Sequence, residues 1–298
     1  MKNFIGSRAL PEIKYHSPGK MDELLALISG CSGPVKIVAG CTDFIPALRT
    51  GRWTFANGVN VIDIKKIDEL SGITVEGGMV RIGACTRLTQ LVESPEILAH
   101  APVLAQAAAQ MASLQVRNSA TIGGNICMSS PAADAAPPLL ALDASVTLKD
   151  GEGEQEVALC DFFTGPGRNV MKPGQVLTRI CVPVKKENEA AEFRKIGTRT
   201  AVIISVVSAA VRIRVVDGVC RDTRIALGSV APTPVRVRQA ESFLDGKRFN
   251  DENIDACAAL AAEEITPISD LRASSEYRKD VARTLVKRSV MACRKRLV

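Results

Sequence analysis

The sequence predicts an α+β chain in three parts: two small α/β subdomains, residues 1–57 and 58–183, then a C-terminal α+β domain, residues 190–298, with an antiparallel sheet and helices. Three observations predict it. Val35 to Ala39 is a short β-branched, apolar run that ends at Gly40 and leads into a helical stretch, Phe44 to Arg49. Gly72 to Ala84 places Ile73, Val75, Val80 and Ile82 about the turn Glu76-Gly77-Gly78, the pattern of a hairpin. From Phe193 the chain changes character: Val202 to Val216 is a long β-branched run, Gly218 a turn, Arg221 to Val230 a further strand, and helical stretches follow.

The elements follow in order. Phe4 to His16 contains Pro11 and reads as an irregular or extended lead-in. Pro18-Gly19 precedes Met21 to Ile28, where Leu24, Leu25, Leu27 and Ile28 suit a short amphipathic helix. After Gly40, either Thr42 or Asp43 is placed to cap the helix from Phe44. Gly51 to Gly58 connects to a strand, Val59 to Ile64. Beyond the hairpin, Arg87 to Val92 and the Ala-rich Pro102 to Val116 read as helices, the second with proline at its first position. Pro137 to Leu142 forms a helical turn, and Ser145 to Leu148, Val157 to Leu159 and Val176 to Val182 are strands. Lys185 to Glu189 reads as a charged, exposed linker. Ala240 to Leu244, Ile254 to Ile265 and Glu276 to Arg296 are the C-terminal helices.

Composition limits the function classes. A hydrophobic fraction of 46% with only 4% aromatic residues describes a soluble chain packed with Ala, Val, Ile and Leu. No run approaches a membrane span, and Met1-Lys2-Asn3-Phe4 opens no signal peptide. The nine cysteines form no Cys-x-x-Cys, so iron–sulfur and zinc spacings are absent and scattered thiols fit a reducing cytoplasm. Residues 271–298 carry nine Lys/Arg and two Asp/Glu. Such a tail suits nucleic acid, but it holds one aromatic, Tyr277, and no nucleic-acid module surrounds it. Ala282, Val286, Val290, Cys293 and Leu297 share a helical face, which fits a docked helix with a solvated basic side, or else a subunit contact.

Two glycine turns are the candidate site. Lys36-Ile37-Val38-Ala39-Gly40-Cys41-Thr42-Asp43 runs from a strand through a glycine to a helix N-terminus, a common anion site. Ala120-Thr121-Ile122-Gly123-Gly124-Asn125 sets two glycines and an asparagine after an apolar residue, so that successive N–H groups can converge on a phosphate. A tight turn without ligand is the plainer alternative for either alone. Neither is the Gly-x-Gly-x-x-Gly fingerprint, and no Walker lysine is present. His16 and His100 lie outside both, which favours chemistry carried by a cofactor.

Together these turns resemble a known family. Ala39 to Asp43 is similar to the Ala-Gly-Gly-Thr-Asp pyrophosphate loop of the FAD-binding subunits of molybdenum hydroxylases, and Thr121 to Asn125, continuing to Asp134, is similar to their second flavin loop. Phe163 to Gly167, Pro173 to Leu177, Phe193 to Arg199 and Ala231 to Pro234 also match, so the resemblance covers nearly the whole chain. It is nearest to the medium subunit of bacterial xanthine dehydrogenase-type enzymes. It implies a PCMH-type FAD-binding domain with a C-terminal domain of the CO dehydrogenase flavoprotein type. It implies that Lys36 to Asp43 and Ala120 to Gly124 hold the pyrophosphate and nearby ribityl atoms. Val176, Leu177 and Phe193 would flank the flavin or adenine, and Asp134 and Lys195 would sit near the isoalloxazine, unless Arg194 takes the lysine's place. The implied partners are a small subunit with two 2Fe-2S clusters and a large molybdenum-cofactor subunit, with NAD or another acceptor. Cys41 stands where a second glycine is usual, tolerable at negative φ, and Met128 where a threonine is usual. An iron–sulfur loop inserted in some relatives is missing after Asp68. The competing reading, an assembly protein with a degenerate flavin fold, predicts a colourless preparation.

Overall fold

A computed structural model describes residues 10–199 and 202–297. The start of the lead-in, from Phe4 to residue 9, lies outside the described residues, as do positions 200, 201 and 298 of the C-terminal part. The strands β1 (Ile13–His16), β2 (Val35–Val38) and β3 (Val59–Asp63) form a parallel sheet in the order β1-β3-β2. Parallel neighbours require crossovers, supplied by α1 (Met21–Gly30) and α2 (Phe44–Thr50). Met21 and Leu24 pack with Ile62, Ile67 and Leu70, while Phe44 and Leu48 pack with Val59 and Val61. The helices thus cover opposite faces of β3, whose five residues are all buried. Since β3 is the central strand, the first unit continues to Asp63, past the end expected at residue 57. The glycine-bounded stretch before it is a connection, with Gly51 and Gly58 at positive φ.

The second unit is antiparallel throughout. Here β4 (Ile73–Glu76), β5 (Met79–Gly83), β6 (Ser145–Lys149), β7 (Glu154–Ala158) and, after a small hairpin of β8 (Phe163–Gly165) and β9 (Arg168–Asn169), β10 (Val176–Pro183) stand in the order β4-β5-β10-β6-β7. Helices α3 (Leu88–Glu93), α4 (Pro95–His100), α5 (Pro102–Ala109), α6 (Leu114–Arg117), α7 (Ile122–Cys127), α8 (Ala136–Ala141) and α9 (Leu159–Phe162) complete it. Val80, Ile82, Ile180 and Val182 meet Leu88, Leu91, Val103 and Leu139 in the largest core. The single helix expected over Pro102 to Val116 breaks at Ala112, whose φ is 45°. Arg117 Nη1 donates to the carbonyls of Met111 (2.9 Å) and Ala112 (3.1 Å), and Ser113 Oγ caps the next helix. Side chains satisfy the groups a continuous helix would have bonded, so alanine propensity does not decide.

The third unit is a four-stranded antiparallel sheet, β11 (Glu189–Ile196), β12 (Val207–Val216), β13 (Val219–Gly228) and β14 (Val235–Arg236), backed by α10 (Arg238–Leu244), α11 (Asp251–Glu263) and α12 (Ser275–Leu297). Glu189, expected in an exposed linker, is a buried strand residue. Burial pushes its carboxyl above the usual range, opposed by Arg212. On α12, Ala282, Val286, Val290 and Cys293 are fully buried, as the docked-helix reading requires. Asp143, between α8 and β6, accepts from Arg212 Nη2 (2.8 Å), Arg224 Nε (3.0 Å) and Arg236 Nη1 (2.6 Å), which ties the second unit to the third sheet. Among the described residues, no helix is long and apolar enough to cross a membrane.

Candidate functional site

The two glycine loops meet. Ser119 Oγ donates to the Gly40 carbonyl at 2.9 Å, across 79 residues of sequence. A Cβ on Gly40 would overlap the Ser119 carbonyl oxygen and stand 2.8 Å from Ala120 Cα, so only glycine allows this crossing. Ser119 was not singled out in the sequence. A hydroxyl beside a loop carries no pattern until its partner is known.

Loop 1 supplies donors. The N–H groups of Gly40, Cys41, Thr42 and Asp43 have no protein acceptor among the described residues. Neither Thr42 nor Asp43 caps α2, contrary to expectation: no side chain bonds the first turn, and the Asp43 carboxylate is taken by Arg52. The helix N-terminus is therefore open to an external anion. Cys41 lies at φ 53°, so the negative φ at which the cysteine is readily tolerated is not the one it adopts. That reversal from its neighbours turns successive amides into one concavity. The left-handed region costs a non-glycine residue about 1–2 kcal/mol. Cys41→Gly is accordingly expected to stabilise the protein by about 1 kcal/mol with flavin content unchanged or higher, as measured by urea unfolding and flavin release. Burial, then the charge of Asp63, pushes the Cys41 thiol up. Asp63 itself is held by Tyr15 Oη (3.0 Å) and Lys65 Nζ (3.3 Å).

Loop 2 supplies shape rather than amides. Ile122 N–H donates to Thr86 O (3.0 Å), Gly123 N–H to Ala84 O (2.9 Å) and Gly124 N–H to the N-cap Thr121 Oγ1 (3.2 Å). The expected convergence of these amides on a phosphate does not occur; the first two fasten the loop to the chain leaving β5, and the third closes the cap of α7. Nor do Gly123, Gly124 or Asn125 take positive φ, since all three lie within α7. Glycine is needed at 123 because a Cβ would stand 2.7 Å from Ala84 Cβ and O. Gly124 is exposed, and its Cβ would meet only Thr121 Oγ1 at 2.9 Å. Asn125 Oδ1 is buried without a donor. Such an acceptor requires a partner, and a ribityl hydroxyl or a ring N–H is of the right kind.

The remaining candidates divide. Asp134 and Lys195 come together at 2.8 Å, both side chains 7% exposed, and Ser205 Oγ donates to Asp134 Oδ1 at 2.6 Å. Ser205, 71 residues from Asp134, gave no signal in the sequence. Val176 and Leu177 are buried in two different cores, and Phe193 lies in the largest core with its N–H on Gln106 Oε1 (3.1 Å). Lys36 lies 4.9 Å from the Trp53 ring centroid, Ile37 and Ala39 are half-buried on the α1 side, and Val38 is buried on the α2 side. Met128 closes α7, half-buried. His16 pairs with Asn60 and belongs to no acid–base set. Free amides on one loop and an orphaned acceptor on α7, with the two glycine loops abutting at Gly40 and Ser119, fit a dinucleotide that offers both phosphate oxygens and donors.

Comparison with known proteins identifies the family. Residues 11–185 match the FAD binding domain in molybdopterin dehydrogenase, and residues 191–293 match the CO dehydrogenase flavoprotein C-terminal domain. The chain is 33% identical over 282 residues to the carbon monoxide dehydrogenase medium chain of Hydrogenophaga pseudoflava, covering 95% of this chain and 97% of that one. It is 32% identical over 278 residues to the xanthine dehydrogenase FAD-binding subunit of Escherichia coli, covering 93% and 94%. Among solved structures, carbon monoxide dehydrogenase from Hydrogenophaga pseudoflava, in a form lacking the Mo-pyranopterin moiety of the molybdenum cofactor, superposes with a TM-score of 0.92 at 33% identity, covering 97% of this chain and all of that one. The chain therefore belongs to the FAD-binding medium subunits of the molybdenum hydroxylase family.

Proposed function

We propose that this chain is the electron-transfer subunit of a xanthine dehydrogenase-like complex. It takes electrons from iron–sulfur clusters on a small subunit and delivers them to NAD or another acceptor, while a large molybdenum-cofactor subunit hydroxylates the substrate. The observation that carries this reading is the open row of amides from Gly40 to Asp43, on a loop that abuts the second glycine loop at Ser119 and Ala120. When bound, the flavin supplies both one-electron and two-electron chemistry. The chain's residues bind and orient it. Loop 1 donates N–H groups to the pyrophosphate, Asn125 accepts from the cofactor, and the Ser205–Asp134–Lys195 set holds one compensated charge pair near the ring. The Asp43 carboxylate of loop 1 is engaged by Arg52 and the Lys36 ammonium lies over Trp53, which suits a relay rather than substrate chemistry.

The purified chain is expected to be yellow, and acid denaturation should release its FAD, since no His or Cys stands in a flavin-linking motif. A folded, colourless protein that takes up no FAD on reconstitution would sink the reading. From its native source, the subunit should co-purify with iron and molybdenum, and alone it should not oxidise purines or aldehydes.

A further inference from the structure

A cleft that takes no lining residue from the glycine loops adjoins the flavin set at Phe193 and Lys195. The end of α5, the edge strand β11 and α12 enclose a cleft of about 330 Å3. Its size is at the lower end for small-ligand pockets. Arg194 of β11 and Arg288 of α12 line it, over the buried side chains of Phe193 and Leu285. Arg194 spends Nη2 on Glu192 Oε1 at 2.9 Å, but its Nε is buried with no acceptor among the described residues. Arg288, exposed at the rim, makes no ion pair among the described residues. Glu192 also receives Arg296, so one carboxylate faces two guanidiniums, and Lys195 is neutralised by Asp134. With Arg288 counted, two positive charges lack a counter-charge.

We propose that this cleft is an anion site that takes the phosphate group of a small ligand between the guanidiniums of Arg194 and Arg288. A phosphate dianion matches the two uncompensated charges, and its oxygens suit the planar donor fork of arginine. A single carboxylate would balance only one. Gln110 stands at the α5 side of the same cleft, where its amide adds a neutral donor or acceptor. The phosphate can come from a nucleotide or from inorganic phosphate, and the test separates the two.

The experiment is calorimetry on the FAD-loaded protein at fixed ionic strength, with ADP-ribose and inorganic phosphate as probes. Saturable binding is expected, weakened on the order of ten-fold by Arg288→Ala and largely restored by Arg288→Lys. Arg283→Ala, an exposed arginine outside the cleft, should leave it unchanged. Tighter binding of ADP-ribose identifies a nucleotide phosphate, and equal or tighter binding of inorganic phosphate identifies the free ion. No saturable binding of either probe, or binding indifferent to Arg288→Ala, overturns the proposal. Released flavin, measured on each variant, should match the parent, so a fault in the FAD reading shows up separately.

Discussion

Gly40→Val is expected to empty the protein of flavin and lower its melting temperature, while Gly124→Val is expected to do the first with little of the second. At Gly40 the obstacle is backbone: the Ser119 carbonyl and the Ala120 Cα leave no room for a Cβ. The loops must part, which breaks the Ser119–Gly40 hydrogen bond and displaces the row of free amides. Overpacking against flexible side chains costs about 1–3 kcal/mol, and rigid backbone puts this change at the top of that range. For a chain of this size that corresponds to roughly 6–12 °C in melting temperature. Gly124 is exposed and helical, so its new side chain disturbs only the Thr121 cap, for about 1 kcal/mol, and on the proposed reading takes the space of the cofactor. Thermal unfolding and acid-released FAD on both variants decide the matter. Parental flavin content in Gly40→Val would show that the loop crossing does not shape the site.

Asp143→Asn is expected to cost about 2–3 kcal/mol and to weaken the coupling of the second unit to the third. Arg212 and Arg236, each 6% exposed in their side chains, and Arg224 share this one carboxylate. Removing one partner of a buried pair typically costs about 3–5 kcal/mol because the other charge stays buried. Asp143 is itself 34% exposed, and Arg236 keeps Glu241 at 2.6 Å, which lowers the expectation. Asparagine suits the test because Asp143 sits at φ 53°, a conformation that asparagine tolerates. Urea unfolding followed by far-UV circular dichroism should shift to lower midpoint and broaden. An unchanged midpoint would mean that hydrophobic contact alone joins the units.

The fold was legible wherever a periodic pattern and its punctuation coincide. Val35 to Ala39 ending at Gly40, the Gly77-Gly78 hairpin and the buried stripe of α12 are local, and the structure holds each of them. The first glycine loop stood out as a candidate because a strand, a glycine and a helix start lie within a few residues. The reading failed where charge implied exposure: Glu189 is buried as a strand residue in the β11–β12 ladder, with Arg212 4.0 Å away as partial compensation. It also failed at Ala112, where the guanidinium of Arg117 rather than alanine propensity settled the backbone.

The sequence by itself determined the α+β class and the family. Tertiary structure alone decided what each glycine is for. Gly40 and Gly123 are needed for close approach to Ser119 and Ala84, not for positive φ, and the residue at positive φ is Cys41. Ser119, Ser205 and the three arginines on Asp143 likewise acquire meaning only from partners dozens of residues away. Hydrogen bonds and close contacts act over a few ångströms in space, and sequence spacing encodes such distances only within a single helix, strand or turn.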